Sequence, residues 1–304
     1  MKLIKNKKSR STLQLIVLFG LIGIFGLTLG MNLEKMTTFV KGKIQERRNL
    51  AETEKVKAIA EKVAPAEGFE LPISWGNIGP ELIKIGVIDL EKFEDVVALT
   101  DEQREILTKG KDTPVTINSE NSQFVVDLLW AAGLAQKSII YTEGPFGQEY
   151  KAEQGSFAST GGWTLAKSDA TNYLNKYDLF KLNSDQQKRV GEIAKNVYRP
   201  CCGNPTWFPD CNHGMAAIAA IEMMVAKGMS DEEVYKNVLK LNSFWFQDAY
   251  VTTAVYFDRK GTAWENVDAK EVLGQTYSSG QGAANIAREI GPLPGSAVGG
   301  SCGA

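Results

Sequence analysis

The sequence predicts a mainly α-helical protein: a membrane-anchored helical globular domain with long irregular loops and a Cys/His loop between two helices. Three observations predict it. A basic N-terminal segment precedes a long apolar run, helix-start patterns recur along the chain, and no series of alternating strands and turns is present. With 304 residues, of which 43% are hydrophobic, the chain can bury a substantial core.

The N-terminal residues predict a membrane anchor. Residues 1–12 carry five basic side chains and no acidic one, and residues 15–27 carry no polar side chain at all. A transmembrane helix needs about 20 residues. We therefore expect a cytoplasmic basic tail at residues 1–12 and a single-pass signal-anchor at residues 13–33, at the cell membrane, with the remaining chain outside the cytoplasm. Cleavage of this segment as a signal peptide would instead make the protein secreted.

Residues 34–68 predict a charged helical stalk. Charged side chains are frequent there, and apolar residues such as Met36 and Val40 recur at roughly helical spacing. Pro65 and Gly68 are typical of the end of such a helix.

Residues 69–291 predict the mainly helical globular domain. Thr100, Ser184 and Ser230 are each followed three residues later by Gln or Glu, which is the capping-box pattern of a helix start. Residues 119–136 are rich in large apolar side chains and predict a buried helix.

The C-terminal half adds one ambiguous element and a tail. Residues 249–261 predict a helix that ends at Gly261, although their β-branched content leaves a strand as the alternative. Residues 292–304, which contain Cys302, predict a flexible Gly/Pro tail.

The most unusual stretch is PCCGNPTWFPDCNHG, residues 200–214, because it holds three of the four cysteines and the only histidine. A helix expected to end at Pro200 precedes it, and an apolar helix at residues 212–228 follows it. These side chains therefore lie at the N-terminus of a buried helix, where free N–H groups and the helix dipole stabilise a thiolate.

Thiolates and an imidazole at this position predict a metal site, with five candidate ligands: Cys201, Cys202, Cys211, His213 and Cys302. One zinc ion is the first expectation, because Cys₃His is a recognised zinc ligand set. Copper is the second, with Met215 as a further soft ligand, and an iron–sulfur centre stays open. The spacing C-C-x8-C-x-H differs from the usual C-x₂-C pairs, and adjacent cysteines are expected to point in different directions.

Two other interpretations of the cysteines stay open. Four cysteines in an oxidising compartment are compatible with two disulfides, which would make the chain a disulfide-stapled structural or interaction module. Alternatively, Cys202 or Cys211 paired with His213 would serve a thiol-dependent oxidoreductase. The sequence assigns no catalytic residue and leaves open whether the protein is an enzyme.

Several function classes are excluded or disfavoured by the sequence. The net charge of −2 and a pI near 5.7, without a nucleic-acid-binding motif, give no reason to expect nucleic acid as a partner. No C-x-x-C-H haem signature, Walker loop, dinucleotide fingerprint or H-E-x-x-H motif is present. The expected partners are the membrane, through the N-terminal helix, and a metal ion, while a protein partner stays open.

Overall fold

The computed structural model describes residues 7–294, with side chains from residue 35 onward. Within this range the protein is mainly α-helical, as predicted, with 13 α-helices and one two-stranded antiparallel sheet. The side chains of the predicted basic tail and of the predicted membrane span at residues 13–33 lie outside the described part. So do residues 295–304, including Cys302.

The first helix, α1, covers Lys7–Val63. Its backbone is therefore helical through the predicted span, and the boundaries predicted at residues 33 and 68 fall within α1 or just after it. Among the side chains that the structure describes, no helix has both the length and the apolar character needed to cross a bilayer. The membrane anchor stays a prediction.

The chain divides into two compact units, Met1–Lys55 and Val56–Ala304. In the first unit, α1 exposes several large apolar side chains, among them Met36 and Phe39. In the second unit, the last turns of α1 are buried in the core through Val56, Ile59 and Val63.

Twelve further helices and both strands belong to the second unit. The strands β1 (Phe69–Gly76) and β2 (Lys111–Ile117) pair antiparallel, with Phe69 opposite Ile117; the sequence analysis did not anticipate this sheet. The helices are α2 (Ile78–Ile85), α3 (Leu90–Val96), α4 (Asp101–Thr108), α5 (Ser122–Ala135), α6 (Ala158–Gly161), α7 (Ser184–Ala194), α8 (Asn212–Ala226), α9 (Asp231–Trp245), α10 (Gln247–Arg259), α11 (Ala269–Leu273), α12 (Gln275–Ser278) and α13 (Gly280–Ile290).

The packed pair α5 and α8 forms the centre of this unit. Every residue of α8 from His213 to Val225 is buried, and α5 is buried over most of its length. The Tyr141 hydroxyl lies 3.1 Å from the Gly133 carbonyl of α5 and 3.0 Å from Met215 Sδ of α8. The core therefore holds α8 firmly, and with it the loop that enters its N-terminus.

Two of the three predicted helix starts are confirmed. Thr100 forms a capping box with Gln103, and Ser230 forms one with Glu233. The ambiguous segment at residues 249–261 is helical, because it belongs to α10.

The third predicted start, at Ser184, is wrong by one residue. Asn183 is the cap: its side chain accepts hydrogen bonds from two backbone N–H groups, and Gln186 reaches back to the Asn183 N–H. Gln187, the residue that the prediction paired with Ser184, instead accepts a hydrogen bond of 2.8 Å from the Ile139 N–H. Asn caps a helix as well as Ser does, so tertiary contacts determine which of the two residues is the cap.

This assignment predicts different effects of two neighbouring substitutions. Asn183→Ala should lower the free energy of unfolding by about 1 kcal/mol, because it removes the cap. Ser184→Ala, the matched control at the first helical position, should change it by less than about 0.5 kcal/mol. Urea denaturation of both variants checks this; equal losses, or a larger loss in Ser184→Ala, would contradict the assigned cap.

A buried carboxyl group lies in the middle of α8. The side chain of Glu222 is fully buried. Burial raises the pKa of Glu222 to about 8, and neither carboxyl oxygen has a hydrogen-bond partner within the described residues. Because the pKa is higher in the folded than in the unfolded state, Glu222 costs no stability below about pH 4.5, and its ionisation destabilises the fold as the pH rises towards 8.

Glu222→Gln should therefore change how stability depends on pH. Between pH 5 and pH 8, the free energy of unfolding of the unmodified protein should fall relative to that of Glu222→Gln, by up to about 1.4 kcal/mol per pH unit. Above pH 8 the difference should level off. Chemical denaturation across this pH range measures the effect, with the exposed Glu120→Gln as control. Parallel pH profiles for the protein and Glu222→Gln would contradict the shift.

Candidate metal centre

The cysteine loop begins earlier than predicted, because α7 ends at Ala194 rather than at Pro200. The loop folds back over the end of this helix. The Trp207 N–H donates to the Ala194 carbonyl at 3.0 Å, and the Thr206 N–H donates to the Val197 carbonyl at 2.7 Å. Carbonyl groups that a longer helix would have used are thus occupied by the loop itself.

This fold brings three cysteines together. The sulfur atoms of Cys201, Cys202 and Cys211 all lie within 4.8 Å of one another. Cys201 Sγ is 3.8 Å from Cys202 Sγ and 3.7 Å from Cys211 Sγ. A disulfide bond is about 2.05 Å long, so no pair among these three is at bonding distance, and all three are free thiols.

The two adjacent cysteines direct their sulfurs to the same place, contrary to the expectation from the sequence. The reason is a turn in the backbone, in which the Cys202 N–H donates to the Arg199 carbonyl at 3.3 Å. The Cys202 carbonyl in turn accepts a hydrogen bond of 2.8 Å from the Gly280 N–H at the start of α13. A Cβ atom at Gly280 would lie only 3.3 Å from the carbonyl oxygens of Cys202 and Pro200, which explains a glycine at this contact.

Cys211 occupies the N-cap position of α8. The Gly214 N–H points to Cys211 Sγ at 3.4 Å. The sequence analysis predicted a cysteine at a helix N-terminus, and this placement is confirmed. The free N–H groups and the dipole of α8 favour negative charge on this sulfur.

A fully buried arginine completes the site. Arg199 Nη2 lies 3.0 Å from Cys202 Sγ and 3.1 Å from Asp210 Oδ1, and Nη1 donates to Thr206 Oγ1 at 3.1 Å. A Cβ atom at Gly214 would lie 2.9 Å from Arg199 Cζ, so the glycine leaves room for the guanidinium across the start of α8. The sequence analysis missed Arg199, although its position directly before Pro200 and the cysteine pair was a usable signal.

The three thiols have different proton affinities. Hydrogen bonds from Cys201 and Cys202, helped by the Arg199 charge and the Gly214 N–H, hold the pKa of Cys211 well below its usual range. Hydrogen bonding to the other two sulfurs raises the pKa of Cys201. The bond with Cys201 lowers the pKa of Cys202, but the bond with Cys211 and burial outweigh it and raise that pKa to about 11. Of the three thiols, Cys211 is therefore the one that loses its proton most readily.

His213 lies beside the cluster rather than in it. No ring nitrogen of His213 is within 4.8 Å of all three sulfurs. Its ring centroid is 4.5 Å from that of Phe246 and 5.7 Å from that of Trp245. Burial lowers the pKa of His213 to about 4, so the imidazole is neutral at pH 7. His213 and Cys201 both line a cavity of about 620 Å³.

Three other side chains near the cluster have partners of their own. Met215 Sδ contacts the Tyr141 hydroxyl between α5 and α8. Trp207 packs under the Lys195 ammonium at 4.9 Å. Phe208 stacks on Tyr150, with 5.1 Å between the ring centroids. The aromatic side chains that face the cavity come instead from residues 244–246.

The chain was compared with protein-family models, curated proteins and solved structures, and none of them matches it. The chemistry of the cluster itself therefore carries the functional interpretation. It consists of three sulfur ligands, a buried guanidinium and an adjacent cavity.

Proposed function

We propose that the loop between α7 and α8 binds one metal ion through the thiolates of Cys201, Cys202 and Cys211. One observation carries the proposal, the spacing of the sulfurs. In a tetrahedral site with Zn–S bonds of about 2.3 Å, neighbouring ligand atoms lie about 3.8 Å apart. The measured Sγ–Sγ distances of 3.8 and 3.7 Å agree with this spacing.

Zinc is the ion that we propose first, with copper second. Both accept three sulfur ligands. Met215 would favour copper, but its sulfur contacts Tyr141 between two helices. Metal binding releases thiol protons, so the affinity should rise with pH. The Arg199 charge, 3.0 Å from Cys202 Sγ, lowers the electrostatic cost of collecting thiolates.

The fourth ligand position decides the role of the metal. The sequence prediction offers His213 and Cys302 for it, and His213 shares the cavity lining with Cys201. A zinc ion with three protein ligands and an exchangeable fourth ligand is typical of catalytic sites, whereas four protein ligands are typical of structural ones. Because Cys201 borders a cavity, we propose an exchangeable position and a role in metal or redox handling.

We also propose that the protein is anchored in the cell membrane by residues 13–33, with Val56–Ala304 outside the cytoplasm. The charge asymmetry and the uninterrupted apolar run support this arrangement. The helical backbone of α1 extends over the whole run. If the segment is cleaved, the same domain is secreted.

The metal proposal predicts stoichiometric zinc in protein purified anaerobically without chelators. Cys211→Ser should lower the zinc affinity by more than the roughly 100-fold that the loss of an outer-shell partner costs, because it removes a ligand. Asp101→Asn, an exposed position in the first turn of α4, is the control and should retain one equivalent of zinc. His213→Ala and Cys302→Ser test the fourth position, since a ligand role for either residue would also lower the affinity. Elemental analysis and competition with a chromophoric chelator measure each value.

Two results would contradict this proposal and favour the alternatives. Metal-free protein in which mass spectrometry of unreduced peptides finds a reversible Cys201–Cys211 disulfide would favour the thiol oxidoreductase. The 3.7 Å between these sulfurs and the low pKa of Cys211 give that function its support. Metal-free protein with two complete disulfides, one of them to Cys302, would favour the disulfide-stapled module.

The topology proposal predicts sensitivity to external protease. A protease added outside intact cells should degrade the chain beyond α1 and leave an N-terminal fragment that contains residues 13–33. A tag fused before residue 1 should stay protected, since it would lie in the cytoplasm. Full protection of the globular domain until the cells are lysed would contradict the proposed orientation.

A further inference from the structure

The cavity beside Cys201 has the dimensions of a small-molecule site. Its volume of about 620 Å³ lies within the range of roughly 300–1,000 Å³ that is typical of ligand pockets. One wall is the junction of α9 and α10, and the facing wall is α13. The cysteine loop closes the inner end with Pro200 and Cys201.

The first wall presents three consecutive aromatic side chains, Phe244, Trp245 and Phe246. In a continuous helix, consecutive residues would point about 100° apart. Here the helix breaks at Phe246, whose φ of −135° and ψ of 48° are not helical. The break lets Phe246 line the same cavity as Phe244 and Trp245.

The facing wall is made of small residues at helical spacing on α13. The cavity is lined on this side by residues whose side chains are too small to fill it: Gly280, Ala283, Ala284 and Ala287. The two walls together make a slot that is apolar over most of its depth. An occupant therefore needs an apolar body.

The polar groups of the lining restrict the occupant further. The lining contains one carboxylate, Asp248, and neither lysine nor arginine. Asp248 follows the aromatic segment directly, in the first turn of α10. A cation is attracted both by a carboxylate and by the faces of aromatic rings, whereas a carboxylate-bearing ligand would meet only repulsion from Asp248.

We propose that this cavity binds a protonated organic amine with an apolar body, its ammonium group between Asp248 and the aromatic wall and its apolar part against the alanines of α13. The inference stands apart from the metal proposal, because none of its contacts requires a metal. If both are correct, the amine lies beside Cys201 and the fourth ligand position.

Three probes of similar size and different charge test the proposal: 2-phenylethylamine, 2-phenylethanol and 3-phenylpropionate. Calorimetric titration uses the full chain, reduced and freed of metal with a chelator, so that failure of the metal proposal does not affect the result. The amine should bind about tenfold more tightly than the alcohol, and the carboxylate should bind most weakly. Added salt should narrow the difference.

Variants separate the two parts of the site. Asp248→Asn should reduce the affinity for the amine to that for the alcohol. Asp101→Asn is the matched control, an exposed aspartate in the first turn of α4, and should change nothing. Ala284→Leu should weaken all three probes by narrowing the slot; Ala284 is exposed, so the core stays intact. Equal affinity for the three probes, preference for the carboxylate, or no binding of any probe would overturn the proposal.

Discussion

The candidate site depends on one buried cation. The Arg199 guanidinium has no exposure to solvent, and a charge in that position is tolerated only when it is paired and hydrogen-bonded. Its partners are Cys202, Thr206 and Asp210, which are spread along the loop. Pairing this one guanidinium therefore fixes the course of much of the loop. The position of Cys201, between the cluster and the cavity, follows from that course.

The surrounding helices hold the cysteine loop in place. Because α8 is buried from its first turn, Cys211 at its N-cap has little freedom to move. The start of α13 holds the Cys202 carbonyl on the opposite side. The sulfurs are thus held near the spacing of metal ligands. Chemically the cluster is asymmetric, because the pKa of Cys211 is lowered while those of Cys201 and Cys202 are raised.

The sequence predicted those features that local patterns determine. The apolar run after residue 214 identified α8, and the spacing of Thr100 and Gln103 identified a helix start. The position of the cysteine loop before an apolar helix placed Cys211 near the N-terminus of that helix. The features it did not predict depend on distant partners. The end of α7 is set by backbone groups of Thr206 and Trp207, more than ten residues later.

The sheet and the position of His213 also depend on residues that are distant in sequence. Strand β1 alternates in burial, but its partner strand lies about 40 residues further along the chain, so the pattern alone did not reveal the pair. His213 was predicted as a ligand together with the cysteines. Residues two apart near a helix start point about 200° apart around the axis, and the His213 ring packs against Phe246.

The cluster and the cavity also differ in when they can form as the chain folds. Arg199, Cys202 and Cys211 lie within a span of 13 residues. Closing so short a loop costs little chain entropy, and each doubling of loop length adds only about 0.6 kcal/mol. The residues of the sulfur cluster can therefore meet by local chain closure, before α13 docks on the Cys202 carbonyl. The cavity joins residues 200–213 to residues 244–252 and 280–287, so it exists only after the last helix has docked. A small molecule could consequently bind in the cavity only after the whole domain has folded, whereas a metal ion could bind the cluster earlier.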